Sequence, residues 1–73
     1  MYKIDEFPAR LRSARHAKGL SMYNAAKKLQ TVSQSQLSNF ENGKHKPGFY
    51  TMVRLAKLYD VSIDWLCGME DAH

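Results

Sequence analysis

Apolar residues recur at helical spacing along the chain, and glycine, proline or short polar breaks interrupt them every ten to fifteen residues. No segment alternates between polar and apolar residues for long enough to predict a strand. The pattern instead predicts five short helices, over residues 5–18, 21–30, 33–42, 50–59 and 62–67. The expected fold is all-α, a compact bundle of five short helices.

Residue types that suit helix ends support these boundaries. Asp5 or Glu6, with Pro8 in the first turn, is expected to start the first helix. The predicted N-caps are Ser21, Ser33 and Ser62, and the predicted stops are Gly19, Asn42, Gly43 and Gly68. Residues 43–48 contain one proline and two glycines and are expected to form a loop. The predicted inward residues are Phe7, Leu11, Ala14, Ala25, Ala26, Leu29, Leu37, Phe40, Glu41, Val53, Leu55, Ala56, Tyr59, Ile63 and Leu66.

The third predicted helix has an outer face of amide and hydroxyl side chains. Ser33 and Gln36 have the spacing of a capping box, which fixes where this helix begins. The outward residues are Gln34, Ser35, Ser38 and Asn39. Glutamine and asparagine can bind adenine bidentately, and serine accepts several base edges. This face therefore favours base recognition, although a merely solvated face, which more often carries Glu and Lys, is the alternative.

Charge is distributed unevenly along the 73 residues. Residues 1–59 hold eleven Lys and Arg against three acids, a net charge of +8, and the remainder holds four acids and no Lys or Arg. A basic body suits a polyanionic partner, and an accidental asymmetry is the alternative. The length predicts a single domain, residues 1–73, with its core at about 7–68.

The number and spacing of cysteines and histidines exclude several kinds of site. The single Cys67 excludes an internal disulfide, and His16, His45 and His73 are too scattered to predict a zinc site or any other metal site. No paired His and acid near a nucleophile and no glycine-rich phosphate loop is present, so the sequence predicts no enzyme, no cofactor and no small-molecule substrate. Without a signal peptide or an apolar span, the expected location is the cytoplasm, with no membrane partner.

A wider resemblance extends over residues 10–21 (RLRSARHAKGLS), 26–29 (AKKL), 32–43 (VSQSQLSNFENG) and 55–66 (LAKLYDVSIDWL). These blocks, in this order and spacing, resemble the Cro/CI-type (lambda-repressor-like, XRE) helix-turn-helix family of phage repressors and related bacterial regulators. The resemblance implies a DNA-binding domain in which helices 2 and 3 form the helix-turn-helix. The third helix is then expected to enter the major groove of double-stranded DNA.

The resemblance also implies roles for individual residues. By position, Gln34, Ser35 and Asn39 are expected to contact bases. Gln36 and Ser38 are weaker candidates for base contacts, because the capping box already explains Gln36 and Ser38 is small. The expected phosphate contacts are Ser21, Tyr23, Arg15, Asn42, Lys44 and Lys46. Both lysines could instead be ordinary loop residues.

Arg15 and Glu41 match an ion pair of related repressors. Such a pair would fix the third helix against the first and leave the guanidinium facing a phosphate. The alternative is that Arg15 is only a solvated basic residue. The sequence does not decide between a buried pair and an exposed one.

Two departures from the family pattern affect particular contacts. Many relatives have Gln after the serine that caps the second helix, where this chain has Met22 followed by Tyr23. The phosphate contact of that Gln is then missing or made by the tyrosine hydroxyl. The segment between Leu29 and Ser33 also has one extra residue and no glycine, so either the second helix is longer or the third helix docks at a different angle.

The C-terminal block is more apolar than a terminal helix requires. Ile63 and Leu66 are expected to close the core, and Trp65, Cys67 and Met69 are predicted to form a two-fold dimer contact. The alternative is that Trp65 only covers the monomer core.

Taken together, the sequence predicts a sequence-specific DNA-binding transcriptional regulator. The most specific form of this hypothesis is a small phage or prophage Cro/CI-type repressor. As a homodimer, it would place two third helices about 34 Å apart on a pseudo-palindromic operator. The alternative is a protein-interaction module, such as an antitoxin or anti-repressor, that retains the helix-turn-helix fold.

Overall fold

The computed structural model describes residues 6–69, which form helices and no strand. The helices are α1 (Phe7–Ala17), α2 (Met22–Leu29), α3 (Gln34–Glu41), α4 (Phe49–Tyr59) and α5 (Ile63–Leu66). The prediction of an all-α bundle of five short helices is confirmed. The helix bounds differ from the predicted ones by only one or two residues, and the alternative start at Asp5 lies outside the described residues.

Three serines begin helices in the way that the sequence predicted. The hydroxyls of Ser21, Ser33 and Ser62 accept hydrogen bonds from the backbone N–H groups of Asn24, Gln36 and Trp65, each at 3.0 Å. Each bond satisfies one of the N–H groups that a helix start leaves without an intrahelical acceptor.

Glu6 precedes α1 but makes no capping hydrogen bond. Its carboxylate instead pairs with Arg10 one turn later, at 3.0 Å. At the end of α3 the left-handed backbone angle belongs to Gly43, with φ of 76°, because Asn42 keeps a negative φ of −98°. The predicted stop is confirmed, and glycine is the residue that permits it.

Each helix contributes one buried leucine to the core. Leu11, Leu37, Leu55 and Leu66 have no exposed surface, and Leu29 is 2% exposed. Phe40, Val53 and Ile63, which were predicted to be inward, are only half-buried. Leu37 anchors one face of α3 in the core, and Gln34 and Ser35 of this helix are exposed to solvent.

The turn between α2 and α3 consists of residues 30–33, the segment that has one residue more than the family pattern. Helix α2 ends at Leu29, and Gln30 leaves it with a left-handed φ of 67°. Val32 is buried in the turn, and Arg54 of α4 donates a hydrogen bond to the Leu29 carbonyl at 2.6 Å. Helix α2 therefore ends one residue before the predicted end at Gln30.

The substitution Gln30→Gly is expected to raise the free energy of unfolding by about 0.5–1 kcal/mol. A left-handed angle costs a residue with a Cβ about 1–2 kcal/mol, and glycine avoids this cost while making the unfolded chain more flexible. Urea denaturation measures the change. Lys44→Gly is the matched control, because Lys44 lies outside the left-handed region. The control should be neutral or destabilising, and an equal gain in both variants would contradict the explanation.

Candidate nucleic-acid interface

The first turn of α3 presents the predicted base-contacting side chains to solvent. Gln34 and Ser35 are exposed, whereas Ser38 and Asn39, one turn later, are half-buried. The structure thus places these four residues on one helix, with the most accessible pair at its N-terminal end. An α-helix presented in this way has the width that the major groove of B-DNA admits.

The capping box fixes the start of α3 and engages part of Gln36. The Gln36 backbone N–H donates to the Ser33 hydroxyl at 3.0 Å, and the Gln36 side-chain carbonyl accepts the Ser33 N–H at 2.9 Å. The carbonyl oxygen of Gln36 is therefore already bonded within the protein. A base contact by Gln36 would have to use its amide N–H₂ group.

The end of α3 is tied to the loop that follows it. The Asn39 carbonyl accepts the Lys44 N–H at 2.9 Å, and the Asn42 side-chain amide donates to the Ser38 hydroxyl at 3.3 Å. These bonds hold residues 42–44 close to α3. Lys44 and Lys46 are exposed in this loop, so their ammonium groups are available to an external anion.

A buried ion pair joins α1 to α3. Arg15 donates from Nε and Nη2 to the two carboxylate oxygens of Glu41, at 2.7 and 3.0 Å, and from Nη1 to the Leu20 carbonyl at 2.9 Å. Arg15 is 7% exposed and Glu41 is 1% exposed. The predicted pair is present and buried. The hydrogen bonding to the Glu41 carboxylate, followed by the charge of Glu41, raises the pKa of Arg15, although desolvation of the guanidinium opposes this shift.

The packing of α2 against α3 across a turn of four residues is the geometry of a helix-turn-helix. The sequence model of the family described as helix-turn-helix matches residues 11–66. The chain belongs to this family. The Cro/CI-type resemblance is therefore confirmed, and so is the lambda-repressor-like fold class. Helix-turn-helix domains of this family occur in proteins named as transcriptional regulators.

Two relatives come from Bacillus subtilis (strain 168). The HTH-type transcriptional regulator ImmR is 37% identical over 62 residues, and the uncharacterized HTH-type transcriptional regulator YobD is 39% identical over 62 residues. Each match covers 85% of this chain, but only 48% of ImmR and 54% of YobD. The helix-turn-helix domain thus spans about half the length of these curated relatives. No solved structure matches it significantly.

Met22 and Tyr23 occupy the start of α2, where the sequence departs from the family pattern. Met22 is half-buried and packs against the core. Tyr23 is 59% exposed, and the Lys27 ammonium lies 5.9 Å from the centre of its ring. Ser21, which caps α2, is also exposed. Of the two residues, only Tyr23 is placed to offer a polar group at this helix start.

Trp65 lies at the edge of the core of the helix-turn-helix domain. It is half-buried, its backbone carbonyl accepts a hydrogen bond from Arg10, and the Arg10 guanidinium carbon lies 5.1 Å from the ring centre. Cys67 is half-buried and Met69 is 52% exposed. The alternative in which Trp65 covers the monomer core agrees with this position, and within the predicted dimer contact the most accessible residue is Met69.

Three arginines of the domain make contacts that the sequence did not predict. Arg12 donates to the Glu41 carbonyl at 2.8 Å, Arg10 contacts Trp65, and Arg54 donates to Leu29. The partners are 29, 55 and 25 residues apart in the chain, so no local spacing indicates them. From the sequence, these arginines are counted in the basic charge of residues 1–59, but no partner is predicted for any of them.

Tyr59 is buried beside the Arg15–Glu41 pair. It is 2% exposed, and its hydroxyl has no hydrogen-bond partner among the described residues. Burial, followed by the negative charge of Glu41, raises the pKa of Tyr59 to about 12, although Arg15 opposes the shift. The hydroxyl is therefore a desolvated polar group that destabilises the fold.

The substitution Tyr59→Phe is expected to raise the free energy of unfolding by about 1 kcal/mol at neutral pH. An unfolded tyrosine loses its proton near pH 10. Because the folded pKa is about 12, the proton is held more tightly in the folded state. The free energy of unfolding is therefore independent of this proton below pH 10 and falls as the pH rises from 10 to 12, because the unfolded chain then loses a proton that the folded chain keeps.

The difference in the free energy of unfolding between Tyr59→Phe and the wild type should therefore grow between pH 10 and 12. Chemical denaturation at several pH values measures it. Tyr23→Phe is the control, because it removes a hydroxyl from an exposed ring and should change stability little. A difference between the wild type and Tyr59→Phe that stays constant with pH would contradict the expected titration.

Among residues 6–69, no helix is long and apolar enough to cross a membrane. The same range contains no group of His, Cys, Asp and Glu side chains arranged to hold a metal ion.

Proposed function

We propose that residues 1–73 act as a single DNA-binding domain and regulate transcription by binding a specific double-stranded site as a homodimer. The main observation behind this proposal is the polar outer face of α3, which two sets of long-range contacts hold in place. Leu37 anchors the opposite face in the core, and the buried Arg15–Glu41 pair fixes the end of α3 against α1. A rigid helix with an accessible donor and acceptor face suits base recognition.

In this proposal Gln34, Ser35 and Asn39 contact base edges. Gln34 and Ser35 are exposed at the N-terminal end of α3, which is the end that recognition helices direct at base edges. Asn39 is half-buried and follows on the same face. Gln36 contributes through its amide group, and the proposed effect of Ser38 is to allow close approach.

Phosphates are contacted on both sides of α3. On the α2 side the proposed contacts are the Ser21 hydroxyl with its neighbouring amides and the Tyr23 hydroxyl. On the loop side they are Asn42, Lys44 and Lys46. Arg15 remains a proposed phosphate contact, although three of its nitrogen atoms already donate to acceptors in the protein.

The proposed dimer brings two α3 helices into successive major grooves about 34 Å apart. Met69 is its most exposed apolar residue, next to Cys67 and Trp65. Occupying a promoter would repress it, in the manner of a phage or prophage Cro/CI-type repressor in the bacterial cytoplasm. The relatives named as transcriptional regulators support regulation as the function of the whole protein.

In-vitro selection from random duplex DNA with the purified protein tests this proposal. We expect an enriched inverted repeat whose half-sites are one helical turn apart. Binding to the selected site should weaken with salt by a slope of about −0.9 for each phosphate neutralised. If folded protein enriches no sequence, the proposal is wrong, and the protein-interaction module becomes the better hypothesis.

A further inference from the structure

A basic groove with an apolar floor lies between α2 and α4. It has a volume of about 270 Å³ and is lined by Lys28, Leu29, Arg54, Lys57 and Leu58. Two leucines and three cations in one concave surface have the composition that suits an apolar side chain flanked by carboxylates. We call this surface the α2–α4 groove.

The three cations of the groove have no acidic partner in the described part of the chain. The carboxylates of Glu6, Glu41 and Asp60 pair with arginines and a lysine elsewhere. Within the groove, Arg54 donates to the Leu29 carbonyl, lies 5.8 Å from the Tyr50 ring centre, and keeps a buried Nε without an acceptor. Three neighbouring like charges repel one another, so an external anionic group would stabilise the groove.

The groove lies away from the proposed DNA contacts. Lys28 is in the last turn of α2 and Lys57 is in the last turn of α4. The proposed phosphate contacts use the opposite end of α2, about 10 Å away along the helix axis from Ser21 to Lys28, and the loop after α3. The cations of the groove are therefore better placed for an acidic protein segment than for the DNA backbone.

The chain itself contains such a segment. Met69 is an exposed apolar residue directly after α5, and Glu70 and Asp71 follow it in the sequence. We propose that the α2–α4 groove binds this segment from a second copy of the chain. Met69 contacts the leucine floor, and the two carboxylates pair with Lys28, Arg54 and Lys57.

Packing around α4 favours a second copy over the same chain. Helix α5 packs against α1 and α4, whereas the groove is formed with α2. The acidic segment extends only two residues beyond Met69, so its reach is at most about 7 Å. In a two-fold dimer each copy gives its acidic segment and receives the other, so the contact forms twice. This inference rests on the proposed homodimer and names one of its contacts.

Charge reversal at the two sides of the contact gives a direct test. One variant reverses the groove, Lys28→Glu with Lys57→Glu, and the other reverses the segment, Glu70→Lys with Asp71→Lys. Sedimentation equilibrium in low salt measures the dimer dissociation constant without DNA. We expect each variant to raise this constant at least about tenfold, because attraction becomes repulsion at both contacts. Circular dichroism establishes that each variant is folded.

Mixing the two variants distinguishes a direct contact from a general loss of charge balance. In the mixed dimer one contact joins the reversed groove to the reversed segment, and the other joins a wild-type groove to a wild-type segment. Both contacts are attractive, so we expect the mixed dimer to form about as well as the wild-type dimer. The fourfold variant, with all four changes in one chain, should likewise recover homodimers. A mixture and a fourfold variant that both stay monomeric would overturn the proposal, and so would a wild type that remains monomeric at every concentration.

A matched control separates this inference from the proposed DNA binding. Lys44→Glu with Lys46→Glu changes the same charge in the loop after α3. It should leave the dimer constant unchanged and weaken binding to a duplex too short for two copies, whereas the groove variant should bind that duplex like the wild type. If the groove variant loses this binding as well, phosphates occupy the groove and the proposal is wrong. If the wild type does not bind DNA at all, the proposed function fails while the dimer measurement still stands.

Discussion

Replacing Glu41 with alanine is expected to lower the free energy of unfolding by about 3–5 kcal/mol and to leave much of the domain unfolded. The carboxylate is 1% exposed and holds the Arg15 guanidinium through two hydrogen bonds. Without it, Arg15 keeps a buried charge that no carboxylate neutralises, which is the costly case for an ion pair. Small domains have total stabilities near the low end of 5–15 kcal/mol, so this loss removes most of the stability.

Urea denaturation followed by circular dichroism measures the effect. Glu6→Ala is the matched control, because the Glu6–Arg10 pair has the same chemistry but a side chain 45% exposed at Glu6, and it should cost at most about 1 kcal/mol. The double variant Arg15→Met with Glu41→Leu should recover a substantial part of the loss, since it leaves no unpaired charge. A Glu41→Ala variant as stable as the Glu6→Ala variant would contradict the structural role of the buried pair.

The fold could be predicted because the features that determine it involve residues close together in the sequence. Ser33 and Gln36 are three residues apart, and their reciprocal hydrogen bonds formed where the spacing indicated. Gly43 ends α3 because its left-handed angle is a property of one residue. Leu37 and Leu55 occupy positions that helical periodicity alone assigns to the core. Each of these features depends on a few consecutive residues.

Long-range contacts were predictable only where a family resemblance supplied them. Arg15 and Glu41 are 26 residues apart, and the resemblance, not spacing, indicated their pairing. Neither the residue spacing nor the resemblance indicates the Arg10–Trp65 and Arg54–Leu29 contacts, because a long arginine side chain can reach many acceptors. Gln30 is a different case, because a left-handed glutamine is dictated by the geometry of the turn and contradicts the local preference of the residue.

The proposed base contacts of α3 rest on position in the sequence, and a binding measurement tests them. Gln34→Ala is expected to weaken binding to the selected site by about 1–3 kcal/mol, or roughly 5- to 150-fold, because a bidentate base contact is lost. On random DNA the loss should be much smaller, since the contact has no correct base there. Gln34 is exposed at the first position of α3, so the stability of the protein should change by less than about 0.5 kcal/mol.

Fluorescence anisotropy with the selected duplex and with a scrambled duplex, at several salt concentrations, measures the specificity ratio. Thr31→Ala, an exposed change three residues before Gln34, should match the wild type on both duplexes. Lys44→Ala should weaken both equally and reduce the salt slope by about 1, as expected for a phosphate contact. Because all three variants alter exposed residues, only a contact with bases explains a loss confined to the selected duplex. An equal loss on both duplexes for Gln34→Ala would place its side chain at the backbone and would require another residue of α3 to distinguish the bases.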